Sequence, residues 1–262
     1  MVAIALSCAG CGSAVEGAPP TASPYEGPLT AKAAVDALEC DGAAPFSRSK
    51  GDYGDGLATV QTSAAEALDN YIAESGIGFT LPLEGYRVER DDPERALLSY
   101  DVGDRTKVAV VAADDIRDWN GDVGWGVVAW AQCDPAELPA EVTDDLGIGV
   151  WEDASGRRLP ITRVRSFKGA EHCSWTSITF LLVGPDEDRS DWYVRGGADE
   201  FPHLLRGTFD ADATLPEDAT DTGWRRDGRR LWLGDDAAYL VDVDDPEDVE
   251  RWPAAKEPIM CA

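Results

Sequence analysis

The chain has 262 residues, 44% of them hydrophobic and 8% aromatic, a composition that can bury a core and excludes a wholly disordered chain. Fifty acidic residues face 23 basic ones, a net charge of −27. A field of that sign repels phosphate backbones and anionic headgroups, which excludes nucleic acid as a partner and adsorption to a membrane by charge. The acidity itself speaks for solubility, with divalent cations or a basic partner as the sharper reading.

In chain order, residues 1–11 read MVAIALSCAGC. A secretory apolar region is about 7–15 residues long behind a basic segment. Here the apolar run is short and the first basic residue is Lys32, so residues 1–11 read as the end of a truncated signal whose start lies upstream. Ala9-Gly10-Cys11-Gly12-Ser13 resembles the lipobox of bacterial lipoproteins. The resemblance implies diacylglyceryl transfer to Cys11 and cleavage after Gly10. It departs at Cys8, where leucine is usual, and Cys8 is the alternative acceptor. Residues 12–30 are rich in Ala, Pro, Gly, Ser and Thr and read as a flexible tether. A membrane helix needs about 20 apolar residues, and the sequence has no such run. The lipid on Cys11 is therefore the expected attachment, on the extracytoplasmic face of the cell membrane.

Residues 31–138 form the first expected unit. Residues 30–39 (TAKAAVDALE) read as a short helix ended by Cys40, and residues 41–56 as a polar loop. Ser63 and Glu66 fit a capping box, Ala65, Leu68 and Ile72 follow at helical spacing, and Gly76 ends the helix. The period then changes to two at Tyr86, Val88 and Arg90. Further strands are expected at residues 97–100, 107–113 and 125–133. The fold class expected for the whole chain is α+β: N-terminal helices packed on an antiparallel sheet, followed by a mostly β C-terminal unit.

That second unit is residues 143–262. Strands are expected at 147–151, 159–167, 176–183 and 238–243. In the third of these, Ile178, Phe180 and Leu182 share one face. Asp227-Gly228 is a strong hairpin signal between Trp224 and Leu231-Trp232-Leu233.

Six cysteines are present, and two of them, Cys8 and Cys11, belong to the signal region. The remaining four, Cys40, Cys133, Cys173 and Cys261, are widely spaced, whereas metal clusters want close pairs. They read as two disulfides of an exported protein, Cys40–Cys133 and Cys173–Cys261, each closing one half of the chain. In the loop-entropy model each adds on the order of 4–5 kcal/mol.

Residues 124–138 (GWGVVAWAQCDPAEL), with His172-Cys173-Ser174-Trp175 and the terminal Cys261-Ala262, resemble a family of actinobacterial exported lipoproteins. In that family a helix and several strands end on a Trp-containing strand and a Cys-Asp-Pro turn. The resemblance spans most of the chain. It implies architecture and export, and no activity.

No residues stand out as catalytic, and neither a metal set nor a cofactor motif is expected. His172 and Cys173 are adjacent, and adjacent residues on a strand point to opposite faces, which makes a poor dyad. The chain has no G-x-S-x-G elbow, H-E-x-x-H or P-loop. Asp210-Ala211-Asp212-Ala213-Thr214 begins like a calcium loop, but Leu215 and Asp221 stand where an EF-hand requires Gly and Glu, which leaves a solvated acidic loop, with a looser calcium site on Asp210, Asp212, Asp218 or Asp221 as the alternative. Paired carboxylates such as Asp114-Asp115 and Asp244-Asp245 are too common here to mark a glycosidase site. The function expected is a non-enzymatic binding or structural module of the cell envelope, its partner an envelope protein or ligand. The alternatives are an envelope hydrolase acting on polysaccharide or peptide, and a calcium-stabilised extracellular binder.

Overall fold

β-branched and small apolar residues in the first half decide the architecture. Every residue from Thr106 to Ala113 is buried, because the strand carrying them has both of its faces covered. A computed structural model describes residues 24–42, 45–50, 59–75, 81–185, 189–197, 200–201 and 203–259. Among them are thirteen strands in three sheets, and three α-helices of 4, 12 and 6 residues. All strand pairings in the sheets are antiparallel.

The first sheet has the order β1-β5-β4-β3-β2, from β1 (Ser47–Lys50), β2 (Arg87–Asp92), β3 (Arg95–Val102), β4 (Arg105–Arg117) and β5 (Val123–Gln132). Side chains alternate across it. Val108, Val110 and Ala112 pack under helix α2 (Ala64–Ser75), with Leu68 and Leu81. Ala109 and Val111 pack under helix α1 (Ala33–Asp36), with Leu29 and Ala131. The expected cap of α2 is present: Glu66 N donates to Ser63 Oγ at 3.2 Å, while the Glu66 carboxylate accepts from Thr62 N.

The expected α+β class, with N-terminal helices packed on an antiparallel sheet, is corrected by these elements: the chain is mostly β. The reason is visible at residues 30–39. Helix α1 closes after four residues because Glu39 leaves it to join the sheet, its N–H donating to Thr106 O at 2.9 Å and its carboxylate accepting from Thr106 N at 3.1 Å. Helix propensity is a weak prior that such tertiary bonds override.

Beside that point lies the buried node of the first sheet. Cys40 and Cys133 are joined by a disulfide. Lys107, with a side chain 4% exposed, places its ammonium 2.7 Å from Glu137 Oε2, 3.1 Å from Asp41 Oδ2 and 2.9 Å from Glu39 O. Three protons meet three acceptors, so the buried cation is fully satisfied. Glu137 also accepts from Asp41 N and Gly42 N.

The second sheet has the order β6-β7-β8-β9, from β6 (Ile148–Val150), β7 (Val164–Lys168), β8 (Thr179–Val183) and β9 (Asp191–Arg195). The third has the order β10-β11-β12-β13, from β10 (Thr220–Arg226), β11 (Arg229–Leu233), β12 (Ala237–Asp242) and β13 (Val249–Pro253). They share a core of Trp151, Val164, Leu181, Leu231, Leu240 and Trp252, so they stack as a sandwich. Helix α3 (Ala140–Asp145) precedes β6. Ile178, Phe180 and Leu182 lie together in a separate cluster on the outer face of the second sheet. Asp227 and Gly228 form the hairpin turn between β10 and β11, with φ of 50° and 74°, the left-handed pair that a two-residue hairpin requires.

Removing Lys107 leaves Glu137 buried without its counter-ion, a change that costs about 3–5 kcal/mol when a buried pair loses one member. Lys107→Met should therefore lower the unfolding free energy in urea by about that amount. Lys107→Met with Glu137→Gln should recover a large part of it, because the amide still accepts from Asp41 N and no charge is stranded. Equal stability of the single and double variants would show that the pair carries no coupling.

Candidate functional site

The two sheets of the sandwich are joined at their edges. Just beyond β6, Glu152 pairs with Arg225 of β10 through both backbone bonds, at 2.9 and 2.8 Å. Strand β10 reaches this position through a bulge between Asp221 and Arg225, where Gly223 has φ 72° and Thr222 Oγ1 donates to Leu231 O at 2.7 Å. A bulge bends and re-aims the strand that contains it.

One residue on, the Arg226 side chain crosses to the second sheet and donates to Ser166 Oγ at 2.7 Å. It passes over Gly149, the cross-strand partner of Ser166, where any Cβ would overlap the guanidinium and the serine hydroxyl. Glycine is required here by close approach, not by a turn.

Two adjoining chambers open along this seam. The smaller, about 280 Å³, is walled by Arg158, Arg225 and Arg226 together with Asp144, Glu152 and Val150. The larger, about 510 Å³, is walled by Ile148, Trp151, Ser166, Phe167, Lys168, Thr179, Arg195, Arg229, Glu250 and Trp252. Asp144, Arg226 and Asp227 border both. Across the two, six basic side chains stand against four acidic ones, the reverse of the balance in the whole chain.

Neutral atoms hold three of these cations. Arg158 donates to Leu138 O and, at 2.8 Å, to Thr143 Oγ1; burial pulls its pKa down, opposed by the nearby Glu152 and Asp144 carboxylates. Arg225 donates to Ala154 O. Among the described residues neither forms an ion pair. Arg226 pairs with Asp227 at 3.3 Å, but that carboxylate is 76% exposed. Arg229 and Arg195 differ, being bound to Asp248 and Glu250. In the larger chamber the Trp151 indole is 2% exposed and its N–H has no hydrogen-bond partner among the described residues. Buried donors are nearly always satisfied.

The residues expected to matter from sequence lie elsewhere. Cys11 and Cys261 are outside the described residues, as is the junction around Cys11. Cys133 is fully buried in its disulfide with Cys40. Cys173 is also disulfide-bonded, to a partner outside the described residues. It sits with His172 on a 3-10 turn, Glu171–Cys173, and not on a strand. Neither His172 nor His203 borders the chambers.

Asp210, Asp212, Asp218 and Asp221 do not converge. Asp221 is bound to Arg230, and Asp210 accepts from Asp212 N within its own turn. Among the described residues only Cys40, Cys133 and Glu137 bring three ligand-type atoms within 4.8 Å, and two of those are spent in the disulfide. No described helix is long and apolar enough to cross a membrane.

Sequence reasoning misses the arginines of the seam. Their signal is the run Arg225-Arg226-Asp227-Gly228-Arg229-Arg230, four cations around one turn in a strongly acidic chain.

Comparison with protein-family models, curated proteins and solved structures finds no match.

The position of Arg225 depends on the turn after Glu152. Asp153 organises that turn by accepting from the Ser155 hydroxyl, Ser155 N and Arg157 N, and these bonds, the Ser155 hydroxyl first, hold its pKa at about 2 against an ordinary 3.8. A carboxyl lowered by the fold stabilises it above the unfolded value and ceases to do so as pH falls through the folded one. The stability gap between wild type and Asp153→Ala should be full above pH 3.8 and narrow toward pH 2. Urea midpoints across that range check it, and a gap independent of pH refutes the ionic role.

Proposed function

We propose that the protein is a non-enzymatic binding module of the cell envelope, tethered by a lipid on Cys11, and that its ligand occupies the paired chambers along the β6–β10 seam. The observation that carries the binding reading is a 510 Å³ chamber with Trp151, Phe167 and Trp252 in its wall, beside a smaller one bordered by three arginines that neutral oxygens hold. Small-molecule sites are concave, of roughly 300–1,000 Å³, with aromatic walls and a few fixed polar groups. The anchoring reading rests on the Cys11-Gly12-Ser13 junction and the tether composition behind it.

The hydrolase alternative would use the Trp and carboxylate side chains of the same groove. A glycosidase needs a general acid sheltered from water and a second carboxylate opposite it. Asp144 and Asp227 are exposed. Glu250 is pinned at both oxygens, by Trp252 Nε1 at 2.9 Å and Arg195 at 3.2 Å. Among the described residues Asp134 is the one carboxyl whose pKa burial raises, and it lies off the chamber walls. Ser166 Oγ faces a guanidinium instead of a base, so it lacks what activates a nucleophile. These arrangements favour holding a ligand over cleaving it.

Two measurements test the proposal. Intact mass of wild-type protein from the membrane fraction should include a diacylglyceryl group on Cys11, and Cys11→Ala should move the protein into the medium. Wild type found soluble and unmodified overturns the anchor. For the groove, protein equilibrated with solubilised wall material should show an added mass by native mass spectrometry. Ile148→Trp, which fills the larger chamber, should lose it. A ligand recovered cleaved after long incubation assigns the chain to the hydrolases, and equal loading of the variant removes the groove.

A further inference from the structure

The contents of the chambers narrow the ligand to a chemical class, an inference that rests on the binding reading of the groove. We infer that the smaller chamber is an oxyanion site: Arg158, Arg225 and Arg226 receive a single carboxylate or phosphate group, and the uncharged body attached to it lies in the larger chamber against Trp151.

The first ground is how the three guanidinium groups are held. Carbonyl and hydroxyl oxygens fix them: Leu138 O and Thr143 Oγ1 for Arg158, Ala154 O for Arg225, Ser166 Oγ for Arg226. Neutral acceptors orient a guanidinium without neutralising it. Each group has five N–H donors in a planar fork, and the bonds made here leave donors on every one. The Asp227 carboxylate that reaches Arg226 is mostly in water, where an ion pair contributes little, so an arriving oxyanion can displace it.

The second ground is the construction of the seam. Gly149 leaves the space that Arg226 crosses toward Ser166, and Arg225, although its side chain leaves the strand on the other face, borders the same chamber as Arg226 and Arg158. Arginine is the residue suited to planar, two-point recognition of carboxylate and phosphate.

The third ground is the remainder of the surface. A net charge of −27 repels an approaching polyanion over about a Debye length. A ligand with one oxyanion on a neutral body meets that repulsion once and offsets it at the arginines. The larger chamber gives such a body a wall that includes Trp151, Phe167 and Trp252. A sugar ring carrying one acidic group supplies both parts, an oxyanion for the arginines and an uncharged body to lie along the aromatic wall.

The test reads the indole N–H resonances of ¹⁵N-labelled protein, with that of Trp151 assigned by its loss in Trp151→Phe. The probes are glucuronate, glucose 1-phosphate, glucose and glucosamine, titrated into the millimolar range. Glucuronate or glucose 1-phosphate should shift the Trp151 resonance, and the stronger of the two identifies carboxylate or phosphate as the preferred group. Glucose and glucosamine should bind about tenfold more weakly or not at all, and Arg225→Gln should weaken the acidic sugars about tenfold, the scale of one charge-assisted contact. Arg225→Lys, which retains the charge and loses the fork, should fall between.

Glucose shifting the resonance as strongly as the acids overturns the oxyanion inference and leaves the groove as a binding site. Acidic sugars that move other indoles but not Trp151, or bind Arg225→Gln as well as wild type, overturn it too. A Trp151 resonance unmoved by every probe overturns the inference. In that case the loading of wild type but not Ile148→Trp by wall material decides separately whether the groove binds at all. The spectrum of each variant also reports whether it is folded.

Discussion

At Arg225 the chain satisfies two partners at once. Its backbone pairs with Arg230 across the β10–β11 hairpin and with Glu152 beyond the edge of the second sheet. Two antiparallel sheets that share an apolar core, and that meet at their far edges through Ala255 N and Trp192 O, are thereby hydrogen-bonded along this seam as well. The requirement propagates outward. The bulge at Thr222–Gly223 exists to bring the end of β10 across, Gly149 to let Arg226 follow, and the Asp153 turn to offer Ala154 O to Arg225. Unpaired strand edges invite pairing with other chains. Here two edges cap one another, and the concavity left between them is the groove.

The seam also ties the sandwich to the first sheet. Arg158 follows the Asp153 turn and reaches back to Leu138 O and Thr143 Oγ1, in the segment leaving β5. Asp134, at the start of that segment, accepts from Ala136 N and Ile161 N. Its pKa is raised by burial, a cost its backbone donors partly offset. The cation and the anion at this junction are both engaged by backbone and hydroxyl partners. Such bonds fix the approach of elements more than they stabilise them, since polar pairs removed from water gain little net energy.

Much of the local structure is legible in the sequence because it rests on local rules. Two adjacent left-handed residues mark Asp227-Gly228, and a hydroxyl three residues before a glutamate marks the start of α2. Alternation marks Ile178, Phe180 and Leu182. The departures have non-local causes. Residues 30–39 have helix-forming composition, yet the helix stops after one turn because Glu39 is drawn to Thr106 and Cys40 to Cys133. Strand β1, Ser-Arg-Ser-Lys, has no apolar alternation to betray it; it is an edge strand defined by backbone pairing with β5. The arginine chamber is illegible for the same reason. Arg158 and Arg225 are far apart in sequence, and the path of Arg226 depends on a missing side chain at Gly149.

The acidity, which in the sequence reads chiefly as a matter of solubility, acquires a second meaning beside this chamber. Coulomb attraction is strongest where water is excluded and weakest across open solvent. An arginine cluster on an open, basic surface would collect any anion. The same cluster set in a groove of an acidic protein is felt only at short range, after the ligand has entered. Discrimination is then made against polyanions at a distance and in favour of an oxyanion at contact, and like-charge repulsion is a recognised source of specificity. Such a charge arrangement would keep the groove clear of charged polymers while leaving it open to a small acidic unit of the right shape.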